Sequence, residues 1–280
     1  MADPAPPIAI VAGSGDLPRL LAEACQRRAR AYHIVQFDGV SLPWRGDHPR
    51  IDAVFEQPGA LFATLRRLGV REVTFAGAMR RPTLSPQRFD LKALAIAPRV
   101  LSALRQGDDA GLSVIAAVFE GEGLAIVPPE TLLEEGRMPA GILTRTAPSR
   151  ADAADIQRAR QILAALGPLD VGQGAVVAQG LCLGVETVQG TDAMLRFVAK
   201  TAGPLRPDPD GARGVLVKCP KPGQDRRVDL PAIGPDTIRA VDAAGLAGVA
   251  LTARGALLLN RAETVAEADR RGLFLIGDPA

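Results

Sequence analysis

The sequence predicts an α/β protein of two domains: an N-terminal Rossmann-like parallel sheet, and a C-terminal α/β domain with a mixed sheet. Three observations predict it. Short apolar runs alternate with stretches of helical periodicity through the first half. Residues 136–148, GRMPAGILTRTAP, lose that periodicity and carry two prolines and two glycines. Beyond them the pattern changes, with two adjacent β-rich runs before the next helix. The expected domains are therefore 1–135 and 149–280, with 136–148 as the linker.

In order along the chain, IAIVAG (8–13) is a buried strand ending in a glycine turn, and LPRLLAEACQRRAR has apolar residues at helical spacing. YHIVQF (32–37) is a second strand. A helix over 60–68 leads to REVTFAG (71–77), a third strand that also ends in glycine. Residues 91–104 and 111–119 read as helices and LAIV (124–127) as a short strand. Parallel strands with right-handed crossovers are what such alternation builds. In the second half, Ser149 and Asp152 open a helix in capping-box spacing that runs to about Leu166. GAVVAQ and LCLGVE are strands divided by Gly180. A helix over 191–200, the strand GVLVK and a helix over 235–244 follow. VALTARGALLL, with its central Arg-Gly, reads as a hairpin or strand pair.

Composition limits the function. The chain has 280 residues, 47% apolar and 23% charged, which is globular usage. With 33 basic and 31 acidic residues the net charge is +2, so nothing global points to nucleic acid, and any anion site must be local. Cys25, Cys182 and Cys219 are far apart and without metal-ligand spacing, which fits reduced thiols in a cytosolic protein. The N-terminus lacks a basic region before its apolar run, so no signal peptide is expected. The longest uncharged apolar stretch, Val171 to Val185, is too short and too polar for a membrane helix, so any membrane contact is expected from the surface.

Four places carry candidate chemistry. AGSGDLP (12–18) is a strand followed by Gly-x-Gly and a helix, so Gly13, Ser14 and Gly15 offer backbone N–H groups to a phosphate. Pro18 stands where the dinucleotide fingerprint wants glycine, while Asp38 lies about where a ribose-binding acid belongs. GAMRRP places Arg80 and Arg81 after the third strand, and GDD (107–109) sits at a helix start, where acids complement the helix dipole. At VETVQGTDAMLRFVAK (185–200), Glu186, Thr191 and Asp192 converge on a strand end and a helix N-terminus, though Thr191 or Asp192 also fits a plain helix cap.

The fourth place is RGVLVKCPKPGQDRRVDLPAIG (213–234). The chain has four lysines against 29 arginines, and Lys200, Lys218 and Lys221 are three of the four. That usage favours compact charges at a phosphate over general solvation, with an exposed basic turn as the plainer reading. Asp225 and Asp229 flank the arginines and either pair with them or hold a divalent ion. His33 and His48, the only histidines, are remote from these motifs. A His-rich dinuclear site, a Ser-His-Asp relay and a structural zinc site are excluded, leaving oxygen ligation of the kind Mg²⁺ takes.

Together these motifs resemble the LpxI family of UDP-2,3-diacylglucosamine pyrophosphatases along the whole chain. The resemblance is carried by AGSGDLP, the RRP after the third strand, GDD, LDVGQGAVV (169–177), ETVQGTDAML (186–195) and VKCPKPGQDRRVDLPAIG with Thr237. Gln189 departs from the glutamate usual in the family.

The resemblance implies Mg²⁺-dependent hydrolysis, with Mn²⁺ able to substitute, of UDP-2,3-diacylglucosamine to UMP and 2,3-diacylglucosamine 1-phosphate (lipid X) in lipid A biosynthesis. The substrate would lie between two domains at the cytoplasmic face of the inner membrane, in a peripheral protein that forms a homodimer and binds no nucleic acid. Asp225, Lys218 and Lys221 take the catalytic roles, and Asp225 and Asp192 the metal. Gly13, Ser14, Gly15, Arg80, Arg81, Glu186, Thr187, Gly190, Thr191, Asp192, Lys200 and Gln224 contact substrate. Two other classes stay open: an NAD(P)-dependent oxidoreductase using the first glycine turn, and a non-catalytic lipid- or nucleotide-binding protein.

Overall fold

The computed structural model describes residues 5–44, 46–79, 83–105 and 108–278. Contacts divide it into two compact units. The first holds β1 (Ile8–Ala12), α1 (Leu17–Arg27), β2 (Tyr32–Phe37), β3 (Arg50–Ala53), α2 (Pro58–Arg67), β4 (Glu72–Ala76), α3 (Leu91–Leu104), α4 (Asp108–Gly121), β5 (Ala125–Ile126) and α5 (Pro129–Leu132). Its five strands are parallel in the order β3-β2-β1-β4-β5. The order reverses between β1 and β4, the switch point at which open α/β sheets take ligands.

β1 shows why the sequence builds this layer. Side chains alternate across a strand, so an apolar run without polar interruptions needs cover on both faces. Ala9 and Val11 pack with Leu61, Phe62, Leu65 and Phe119 from α2 and α4. Ile8, Ile10 and Ala12 pack with Leu21, Ala22 and Cys25 of α1 on the other face. β3, RIDA, escapes the sequence expectation because it is a short edge strand with Arg50 and Asp52 exposed.

The second unit holds β6 (Gly141–Ile142), α6 (Arg150–Leu166), β7 (Gly174–Ala178), β8 (Leu181–Val185), α7 (Thr191–Thr201), β9 (Val215–Lys218), β10 (Ala232–Ile233), α8 (Pro235–Ala243), β11 (Gly248–Thr252), β12 (Leu257–Leu258), α9 (Arg261–Arg270) and β13 (Phe274–Asp278). Six strands form a mixed sheet, β6-β13-β11-β9-β7-β8, with β13, β11 and β9 parallel. The cap on α6 is the one expected: the Asp152 amide donates to Ser149 Oγ at 3.1 Å and the Ser149 amide to Asp152 Oδ2 at 2.8 Å. Within 136–148, Met138 is fully buried in this unit's core and Gly141–Ile142 pair antiparallel with β13.

VALTARGALLL corrects an expectation. Its two halves, β11 and β12, do not pair with each other: β11 lies inside the six-stranded sheet, and β12 pairs parallel with β10. Arg254 takes a left-handed backbone (φ 58°) and its amide donates to Met138 O, turning the chain away before a hairpin closes.

Residues 225–229 belong to the first unit although they lie in the second half of the sequence. Val228 is buried there among Phe62, Phe119 and Ile126. Val228→Ala removes two buried methyl groups and should lower the stability of the first unit by about 1–3 kcal/mol. Trp44, the only tryptophan, lies in that unit and reports its urea transition. An unmoved midpoint would show that Val228 does not anchor the segment.

Candidate active site

The carboxyl end of β9 gathers most of the sequence-predicted polar residues of the second unit. Lys218 ends the strand, in register with Gly174 of β7 and Leu251 of β11, so its backbone sits mid-sheet. Its side chain lies on the face packed by α7. Nζ donates to Thr191 Oγ1 at 2.6 Å, and Thr191 Oγ1 donates to Glu186 Oε1 at 2.8 Å. Glu186 Oε2 stands 3.5 Å from Nζ and accepts no hydrogen bond. Lys218 is 4% exposed and Glu186 7%, so this is a buried ion pair with one carboxylate oxygen underused.

LDVGQG (169–174) makes room for that pair. Gly172 has φ +53°, and a Cβ there would stand 1.9 Å from Glu186 O. A Cβ on Gly174 would stand 2.6 Å from Glu186 Oε2. The Glu186 amide donates to Gly174 O at 2.8 Å, fixing the residue beside β7. Lys221 Nζ pairs with Asp170, and Gln224 Oε1 accepts from the Lys221 amide at 2.9 Å. Gln224 is buried, and Asp192 is an exposed carboxylate in the first turn of α7. Gly190 precedes that helix with φ +83°. Thr187 is exposed and donates to Gln189 at 2.7 Å.

Lys200 is not brought to this cluster. It lies in the last turn of α7, roughly 13 Å along the axis from Thr191. The concentration of lysines in one stretch of sequence is thus not a concentration in space. Asp170 was not singled out in the sequence; its only signal was its place in the LDVGQG run.

In the first unit, Asp225 is held by Arg227. Its Oδ1 accepts from the Arg227 amide and Nε, each at 3.0 Å, and Oδ2 accepts from Nη2 at 2.8 Å. Nη1 of the same guanidinium donates to Glu120 Oε1 at 2.7 Å. Arg227 holds the Asp225 carboxyl below the usual carboxylate range, against the opposing effect of partial burial. Sequence spacing gave no sign that Arg227 and Glu120, 107 residues apart, would meet.

The glycine turn after β1 lies at the switch point and is stitched to the turn after β4. The Ser14 amide and Oγ both donate to Ala78 O, and the Ala78 amide donates to Ser14 O. A Cβ on Gly13 would stand 2.5 Å from Ala78 O, so this close approach by itself requires glycine. Gly13 and Ser14 amides are consumed by Ala76 and Ala78 carbonyls, which leaves less of the turn for a phosphate than the sequence suggests. Arg80, Arg81 and Gly107 lie outside the described residues.

Among the described residues, no group of three or more His, Cys, Asp or Glu could hold a metal ion. The donors fit Mg²⁺ in one form, with a single carboxylate such as Asp192 and the remaining positions taken by phosphate oxygens and water.

Residues 7–136 match the LpxI N-terminal domain and residues 139–276 the LpxI C-terminal domain. The UDP-2,3-diacylglucosamine pyrophosphatase LpxI of Caulobacter vibrioides is 39% identical over 273 residues, covering 97% of this chain and 98% of that protein.

Two predictions follow from the charges. Lys218→Met leaves a buried carboxylate without its cation and should cost about 3–5 kcal/mol, of which most returns in Lys218→Met/Glu186→Gln. Equal urea midpoints for the single and double variants would refute the pairing. Because the folded-state pKa of Asp225 is depressed, its stabilisation is full above the ordinary carboxylate pKa and lost as pH falls through the lowered value. Arg227→Gln should raise that pKa, read from the Asp225 carboxyl ¹³C shift; an unmoved titration would show that Arg227 does not set it.

Proposed function

The chain belongs to the LpxI family, and from that premise we propose that it hydrolyses the pyrophosphate bond of UDP-2,3-diacylglucosamine. The products are UMP and 2,3-diacylglucosamine 1-phosphate, and the step serves lipid A synthesis. The observation that carries the reading is near-complete alignment with the Caulobacter pyrophosphatase at 39% identity. Supporting it is the polar cluster at the carboxyl end of β9, whose residue types suit a diphosphate.

In this reading Lys218 and Lys221 hold the diphosphate. Both ammoniums are already paired with carboxylates, so a phosphate gains them by competing with Glu186 and Asp170. That exchange keeps the cations oriented before substrate arrives, and it limits the charge left uncompensated in its absence. Thr191 holds Lys218 from the helix side. Asp225 orients the attacking water and accepts its proton, a role that needs Arg227 to release at least one carboxylate oxygen. Magnesium, for which manganese can substitute, would neutralise charge on the diphosphate, with Asp192 as its carboxylate ligand. The protein would work as a peripheral protein at the cytoplasmic face of the inner membrane, and as a homodimer.

Asp225→Ala separates catalysis from structure. A catalytic Asp225 predicts a folded variant that still binds substrate, with kcat lower by about 10²–10⁴-fold. Near-normal turnover by a well-folded variant would remove the role. EDTA should stop turnover and Mg²⁺ or Mn²⁺ restore it; full activity in chelator would remove the metal.

A further inference from the structure

α3 is mostly apolar, with Lys92, Arg99 and Ser102 as its polar residues. Ala93 and Ala103 face inward and are buried, yet Leu91 is 86% exposed, Leu94 57% and Leu101 45%. At 100° per residue, Leu91, Leu94, Ala95, Pro98 and Leu101 fall within about 120° of one another, and all five are exposed. Among the described residues no other helix or strand exposes more than one large apolar side chain. A helix that exposes an apolar face as well as burying one calls for a second covering surface.

The charges of this stretch are mostly basic, although Lys92 is paired with Glu122. Between Pro86 and Arg105 stand Arg88, Lys92, Arg99 and Arg105 against a single acid, Asp90. The Asp90 carboxylate is occupied by the Gly59 and Ala93 amides, each at 2.7 Å. Arg99 and Arg105 are exposed and make no ion pair among the described residues. Since the whole chain is nearly balanced in charge, this excess is local.

We propose that the outward face of α3 docks the protein on an anionic phospholipid surface. The leucines enter the acyl boundary while Arg99 and Arg105 meet lipid phosphates. The helix is 14 residues long, and no helix of the described residues is long and apolar enough to cross a membrane, so it lies in the surface plane. A second copy of this chain is a poorer occupant, because a twofold contact through this face would bring like cations together. The inference rests on the lipid substrate of the proposed function for its setting, and on the helix for its physics.

The test is co-sedimentation of the full chain with phosphatidylcholine vesicles, with and without about one-third phosphatidylglycerol. Wild type should bind the anionic vesicles about tenfold more strongly, with binding weakened by salt. Leu91→Ser/Leu94→Ser/Leu101→Ser and Arg99→Glu/Arg105→Glu should each lose about tenfold at an unchanged unfolding midpoint. Turnover of substrate dispersed in nonionic detergent should not change. Full-strength binding by the serine variant, or equal binding to both vesicles, overturns the proposal. So does loss of self-association in the serine variant without loss of vesicle binding, which would give the face to a second copy. Docking is read without turnover, so a protein that binds through α3 yet leaves UDP-2,3-diacylglucosamine intact refutes the proposed function and keeps the surface.

Discussion

The buried pair between Lys218 and Glu186 constrains the carboxyl end of β9 more than any other interaction described there. Two charges removed from water cost several kcal/mol each unless geometry and added hydrogen bonds compensate. Compensation here requires Thr191 between them, which fixes where α7 begins. It requires residues without side chains at 172 and 174, which fixes the approach to β7. It also requires the Glu186 amide on Gly174 O, which fixes the exit of β8. A well-packed apolar pair would stabilise this end at least as well. Stability alone therefore does not account for keeping charge there.

Much of the fold was legible because β1, β7, β9 and β11 are covered on both faces and read as unbroken apolar runs. The capping box of α6 was legible because its chemistry lies within four residues. Edge and short elements were not: β3 carries exposed charge, and the partner of β12 is β10, 25 residues away in register. The candidate site was half legible. Lysines, Thr191 and Glu186 stood out by residue type and by their place at element ends. Pairing of Asp225 with an adjacent arginine was one of the two readings that the spacing offered. Asp170, the partner of Lys221, and Glu120, the second partner of Arg227, were not legible, since such pairings depend on folded distance rather than spacing. Lys200 misled for the converse reason: closeness in sequence spent along a helix axis becomes distance.

Asp225 and Lys218 show two ways of holding a charge. Lys218 is buried and its partner is buried with it. Asp225 is only partly buried, and its partner Arg227 also reaches an exposed acid, Glu120. Exposed pairs exchange partners at low cost, whereas buried ones exchange only for a ligand that matches their charge and hydrogen bonds. A phosphate meets that requirement for an ammonium.

The placement of Val228 in the core of the first unit bears on how the chain is made. The first unit is not continuous: the 90 residues from Glu135 to Gln224 separate its main body from the segment that completes it. A ribosome adding about 5–20 residues per second needs roughly 5–18 s to cross that interval. Through that time Val228 is absent from the cluster it shares with Phe62, Phe119 and Ile126 in the folded unit. Completion of one unit thus waits on synthesis of most of the other, and a chain released early would expose aromatic surface to chaperones and proteases.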